Sequence, residues 1–255
     1  MYASQRFDDF PAIANTDGPV TGVSARYRFI PTVEIIDALD AEGFSVVKAT
    51  QGRARTAYAQ HRVDLEHKSF QPFEVRPNDT VKMRVVLINS HNKRSGFAIH
   101  AGAFRDVCAN GMVFGSIHTE SVSARHIGTG DIIEGVYRIV DEAQNVLTDM
   151  RDMAQIPFSP DQQLEFAERA LTLRWPGPHR PVEPATLIQP RRMGDVGDNL
   201  FLTYQRVQEA LTRGGMAGRT QTNRVRSVRA LASIAADFKV NNGLYQLAQE
   251  YSAAA

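Results

Sequence analysis

The chain has 255 residues, 43% of them hydrophobic, and a net charge of +1. That is enough apolar material for a sizeable core, and the single cysteine, Cys108, excludes an internal disulfide framework and a cysteine-rich zinc site. There is no apolar run of roughly 18 residues and no apolar signal-peptide core at the N-terminus, so the expectation is a cytoplasmic protein without a membrane partner.

Residues 1–25 are rich in Asp, Asn, Gly, Ser and Thr without a sustained period, and read as an irregular arm. Pro31-Thr32 opens a helix whose stripe is Val33, Ile36, Ala38 and Leu39, stopped by Gly43. The pattern then changes to period two. Strands over Phe44–Gln51 and Thr56–Lys68 flank Gly52-Arg53-Ala54-Arg55, a hairpin tip with two arginines. In the second strand Ala57, Ala59, His61, Val63 and Leu65 face the core, and Tyr58, Gln60, Arg62, Asp64 and Glu66 face water. Pro77-Asn78-Asp79 is a turn signal, followed by a strand over Thr80–Asn89 with Val81, Met83, Val85 and Leu87 inward and Lys82 and Arg84 outward. Ser90–Gly96 is a basic turn carrying Lys93 and Arg94. Phe97–Arg105 returns as a strand, with Phe97, Ile99, Ala101 and Ala103 on one face and His100 and Phe104 on the other. Short apolar runs at Met112–Ile117 and Val122 add further strand.

Beyond Gly128-Thr129-Gly130 the apolar residues recur at helical spacing through Met150, which predicts a long helix covering the sheet. Ser159-Pro160-Asp161 carries the capping signature of a second helix. A Pro-rich passage, Trp175 to Pro190, interrupts regular structure. Helices near Leu200–Arg213 and Val228–Ala248 follow, joined by a mobile Gly-rich connection at Gly214–Arg219. The fold class is therefore α+β: an antiparallel β-meander covered by a long helix, with a helical C-terminal region. Residues 1–25 would form the arm, 26–175 the α+β core domain, and 176–255 the linker and helical region.

The small net charge conceals segregation. From Lys48 to Arg94 there are ten Lys/Arg against four Asp/Glu, and from Gln205 to Ala230 six Arg against one Glu, whereas Gly130 to Ala170 holds nine acidic residues against three Arg. Blocks of this kind create local fields that act over roughly 8–10 Å in physiological salt. The cations Arg53, Arg55, Arg62, Lys82, Arg84, Lys93 and Arg94, with the aromatic Tyr58, make a candidate single-stranded nucleic-acid surface, because cations track phosphates and rings stack on unpaired bases. Phe104 is a further candidate aromatic, and Arg213–Arg229 a second basic contact. Acidic and basic blocks also suit head-to-tail pairing in a homo-oligomer.

Enzymatic signatures are absent: no phosphate-binding GxxxxGK[ST], no GxGxxG after a strand and no GxSxG. Histidines His91, His118 and His126 lack metal-ligand spacing, so neither metal nor cofactor is implied. His61, on an inward face, reads as a hydrogen-bonded core histidine, and Cys108 as a small buried thiol. Two other readings carry weight: acidic helices that mimic nucleic acid and engage a host protein, and nucleic-acid processing with His91 or His126 as general base.

The run Asn89-Ser90-His91, then Ala101-Gly102-Ala103-Phe104-Arg105-Asp106-Val107-Cys108-Ala109-Asn110-Gly111-Met112, with Arg125-His126 downstream, resembles the core motif of the phage/plasmid-like proteins grouped as domain of unknown function 932. Arg28-Phe29-Ile30-Pro31-Thr32 and Val240-Asn241-Asn242-Gly243-Leu244 are similar to that family's beginning and ending. The resemblance implies a mobile-element context concerned with DNA processing, and it marks Asn89, His91, Arg105, Asn110 and His126 as positions to test. Asn92-Lys93-Arg94-Ser95 departs from the acidic residue and glycine common in relatives. A strand meander followed by a long helix is also similar in order to ring-forming single-strand annealing proteins, so the expected function is single-stranded DNA binding and annealing.

Overall fold

The computed structural model describes residues 7–23, 29–52, 54, 56–92, 96–105, 111–114 and 129–255. Its chain groups into two compact units, the first of residues 1–72, 82–103 and 115–144, the second of 73–81, 104–114 and 145–255. Residue 175, where the sequence places a boundary, lies inside the second unit, which takes in residues 145–255 without a break.

In the first unit, α1 (Pro11–Ala14) lies within the segment expected as an arm, yet Phe7, Ala12 and Ile13 are core residues. The helix α2 (Thr32–Ala41) forms where the stripe predicts it, burying Val33, Ile36 and Leu39, and ends at Gly43, whose φ of +101° favours glycine. The strands β1 (Phe44–Gln51), β2 (His61–His67) and β4 (Asp79–Asn89) pair antiparallel, with Gln51 opposite His61 and His61 opposite Asn89 at one end. A short strand, β3 (Phe73–Arg76), precedes β4 through the Pro77-Asn78 turn, where Asn78 takes φ 61°. With β5 (Ala98–Arg105) and β6 (Gly111–Phe114) the sheet order is β1-β2-β4-β5-β6, β3 pairing with β4. The meander under a long helix is thus present: Ile132 and Val136 of α3 (Thr129–Gln155) pack in one core with Val63, Leu65, Val85 and Leu87.

Three expectations are corrected. The second strand is shorter than Thr56–Lys68, so Tyr58 lies in the 52–60 turn. Its outer face is only partly wet, since Asp64 is 0% exposed while Arg62 and Glu66 are half-buried, and β5 is buried on both faces from Ile99 to Arg105. Residues beyond Gly214 form a hairpin rather than a mobile link and helix start, as described below.

The second unit holds α4 (Pro160–Arg174), α5 (Pro184–Leu187), α6 (Leu200–Arg213) and α7 (Ile234–Ala253). Ser159 and Gln162 form the capping box of α4, Asn199 caps α6 and Ser233 caps α7. Every residue of α6 from Leu200 to Thr212 is buried, so its polar side chains must find partners inside; Gln208 donates to Asn241 Oδ1 at 2.9 Å. Tyr204 is an exception. Its hydroxyl has no hydrogen-bond partner among the described residues, and burial pushes its pKa far up. Tyr204→Phe is expected to stabilise the protein by about 1 kcal/mol, by removing an unsatisfied buried hydroxyl, as read by thermal unfolding.

After α6, Gly214 (φ +64°) and Gly215 (φ +83°) turn the chain, and a Cβ on Gly214 would strike the Val228 carbonyl. The chain then forms a two-stranded ribbon, β7 (Ala217–Arg219) and β8 (Val225–Ser227), and α7 begins only at Ile234. Among the described residues, no helix is long and apolar enough to cross a membrane.

Candidate nucleic-acid interface

Asn89, at the end of β4, donates from Nδ2 to the Ile30 carbonyl (3.1 Å) and to Thr32 Oγ1 (3.0 Å), while its Oδ1 accepts from the Ser90 amide. Thr32 Oγ1 also meets His61 Nε2 at 2.7 Å, and His61 Nδ1 meets the Ala59 carbonyl at 2.9 Å. A carbonyl only accepts, so Nδ1 carries the proton and Nε2 accepts from the Thr32 hydroxyl. His61 is therefore a neutral, hydrogen-bonded core histidine, as expected. Burial first, and His91 beside it, lower its pKa to about 4.

His91 is fully buried, its ring 5.1 Å from that of His61 and 4.7 Å from Phe29. Its Nε2 donates to the Ala12 carbonyl at 2.9 Å, leaving Nδ1 without a partner among the described residues, and burial lowers its pKa. Its backbone ties two other segments: the amide donates to the Tyr58 carbonyl (3.2 Å) and the carbonyl accepts from Val20 (2.9 Å). Asn15 Nδ2 adds bonds to Gly18 and to the Ala57 carbonyl, the latter at 3.0 Å. The motif Asn89-Ser90-His91 is thus a buried node that fastens the N-terminal segment and the 52–60 turn to the sheet. Sequence periodicity did not reveal Asn15 or Thr32 as its partners.

On that fastened turn Tyr58 is 36% exposed. The strand residues nearest those other cations in sequence, Gln51, His61 and Asn89, lie in one row across the sheet. Arg53, Arg55, Lys93 and Arg94 themselves lie outside the described residues, as do Asn110, Cys108, His118 and His126. Of the remaining candidates, Arg62 donates to Asp64 Oδ1 at 2.6 Å and Arg84 to Glu66 Oε1 at 2.7 Å, so acids on β2 balance both. Lys82, on β4, is half-buried. The expected basic face therefore carries less net charge than its cations alone suggest.

Arg105, the other described position of the motif, belongs to the second unit and lies in a different environment. Only 3% exposed, it is bidentate to Asp79 (2.6 and 2.7 Å), reaches Asp195 (2.5 Å) and donates to the Gly194 carbonyl (3.0 Å). Arg76 pairs with Asp79, and Arg192 bridges Asp195 and Glu209, so three arginines alternate with three carboxylates. Arg206 extends the cluster to the carbonyls of Asp195 and Gly197 and to Gln163. Phe104 is buried next to it in the chain and presents no ring for stacking.

A family model described as "Domain of unknown function (DUF932)" matches residues 19–233. The chain is similar to the UPF0380 protein YfjQ of Escherichia coli (strain K12), 33% identical over 228 residues that cover 89% of this chain and 82% of the relative. It is also similar to the UPF0380 protein YafZ of the same organism, 33% identical over 232 residues, with the same coverage of both chains. No solved structure gives a significant match.

Proposed function

We propose that this chain, which belongs to the DUF932 family, is a single-stranded DNA-binding protein of a phage or plasmid that holds and anneals strands during recombination or replication. The observation that supports this most is the exposed ring of Tyr58 on a turn whose backbone is fixed from behind by His91 and Asn15, within a basic stretch of sequence. A ring fixed from behind stacks on an unpaired base at low entropic cost, and the arginines and lysines that neighbour it in sequence would hold the phosphates. Base edges stay open for pairing, so no bond is made or broken by the protein. The acidic and basic segments favour a homo-oligomer, and the site of action is the cytoplasm of the bacterial host.

Binding to labelled single- and double-stranded DNA over a salt series, with particle mass recorded in parallel, tests the reading. Preferential single-strand binding that weakens steeply with salt is expected. Tyr58→Ala should lower single-strand affinity roughly tenfold, the worth of one stacked base, with unfolding behaviour unchanged. Absence of single-strand binding at low salt would overturn the proposal.

A further inference from the structure

Between Glu209 and Asp237 the chain has five arginines, Arg213, Arg219, Arg224, Arg226 and Arg229, and no carboxylate. All five are exposed, and four lie on or beside the β7–β8 ribbon. Among the described residues Arg224, Arg226 and Arg229 have no carboxylate partner. This contrasts with Arg62, Arg84, Arg105 and Arg192, each of which is neutralised by an acid.

The ribbon is also rigid. Its tip is closed by Thr220 N donating to the Arg224 carbonyl (2.9 Å) and Asn223 N to the Thr220 carbonyl (2.8 Å), with Asn223 at φ 59°. Its base is bolted by reciprocal bonds, Gly215 N to the Val228 carbonyl and Val228 N to the Met216 carbonyl, both 2.8 Å. Arg174 donates to the Arg229 carbonyl at 2.5 Å, Arg191 to the Gly214 carbonyl at 2.6 Å, and Arg219 N to the Pro181 carbonyl at 2.7 Å. A cationic hairpin held in shape by this many bonds is pre-organised for a polyanion.

From these features we infer that the β7–β8 ribbon is a second nucleic-acid contact, which engages the phosphate backbone of duplex DNA. Residues 213–229 contain no aromatic side chain, so the ribbon has nothing on which an unpaired base would stack. A two-stranded ribbon fits the major groove of B-form DNA, roughly 12 Å wide, whereas that of A-form RNA is too narrow. The arginines contact phosphates on the groove walls, and binding is independent of sequence. This inference does not depend on the role of Tyr58. Together the two surfaces would let one protein hold a single strand and the paired product.

The test compares wild-type full-length protein with Arg224→Ala/Arg226→Ala/Arg229→Ala, and with Arg138→Ala as a charge control on an exposed face of α3. Each binds single-stranded DNA, duplex DNA of the same sequence and duplex RNA from about 50 to about 200 mM salt. The triple variant should lose at least roughly tenfold in duplex-DNA affinity at the low end, and its log–log salt slope should become shallower by about one per arginine removed. Single-strand binding and unfolding should stay near wild type, and Arg138→Ala should bind as wild type. Unchanged duplex affinity and slope in the triple variant would overturn the inference, as would equal loss of both strand types or a preference for duplex RNA. Wild-type protein that binds single strands but not duplex would overturn it and leave the single-strand proposal standing.

Discussion

Arg105→Ala is expected to destabilise the protein by about 3–5 kcal/mol, the range for removing one partner of a buried ion pair. The guanidinium satisfies both oxygens of Asp79 and one of Asp195, carboxylates whose side chains are 4% and 3% exposed. Without it, two carboxylates remain buried, with Arg76 and Arg192 at their outer edges. A loss of this size is a large share of the net stability of an ordinary domain, so low soluble yield is part of the expected result. Arg105→Lys should recover only part of it, because an ammonium cannot match the two-pronged bond to Asp79. Urea unfolding of both variants measures this, and a loss below about 1 kcal/mol for the alanine variant would show that the cluster is not a clamp.

Acid should weaken the fold through the buried histidine pair. His61 binds a proton at its ordinary pKa of 6.5 when unfolded but only near 4 when folded. Between those values the unfolded chain holds more protons, so stability falls as pH drops from 6.5 towards 4. The full difference corresponds to about 3 kcal/mol. His91, shifted in the same direction, steepens the decline. The geometry explains the sign: protonated Nε2 would face the Thr32 hydroxyl, which already accepts from Asn89 and would have to give up its own donation to His61. Urea midpoints from pH 7 to pH 4 should fall steadily in wild type and less in His61→Gln, which loses stability at pH 7 but carries no titrating group. A flat wild-type profile over that range would show that the histidine pair stays neutral without cost.

Much of the scaffold was legible because its signals are local. The stop of α2 at Gly43, the cap at Ser159, the Pro77-Asn78 turn and the change from period two to helical spacing beyond residue 128 are each set by a few adjacent residues, and each appears where the sequence places it. The inward side of β4 and the core position of His61 follow from the same alternation. Helical spacing after Gly130 likewise led directly to Ile132 and Val136 in the sheet's core.

Period records which side chains share a face, and nothing about what arrives on the opposite one. Thus Asp64 and Phe104, outward by alternation, are buried, and the charges of Arg62 and Arg84 are met by acids that cross-strand register or local folding brings to them. Arg105 shows the limit most clearly, since its partners Asp79 and Asp195 stand 26 and 90 residues away. The ribbon is a milder case. Its arginines and paired glycines are visible in the chain and its own bonds close the hairpin, but the bonds that anchor it come from Pro181, Arg174 and Arg191, outside the segment. Composition and local pattern alone determined the α+β class, the ends of the capped helices such as α2 and α4, and the segregation of charge. Tertiary structure decided which of those charges are neutralised within the core and which remain on a surface, because only long-range packing sets what each buried ion is paired with.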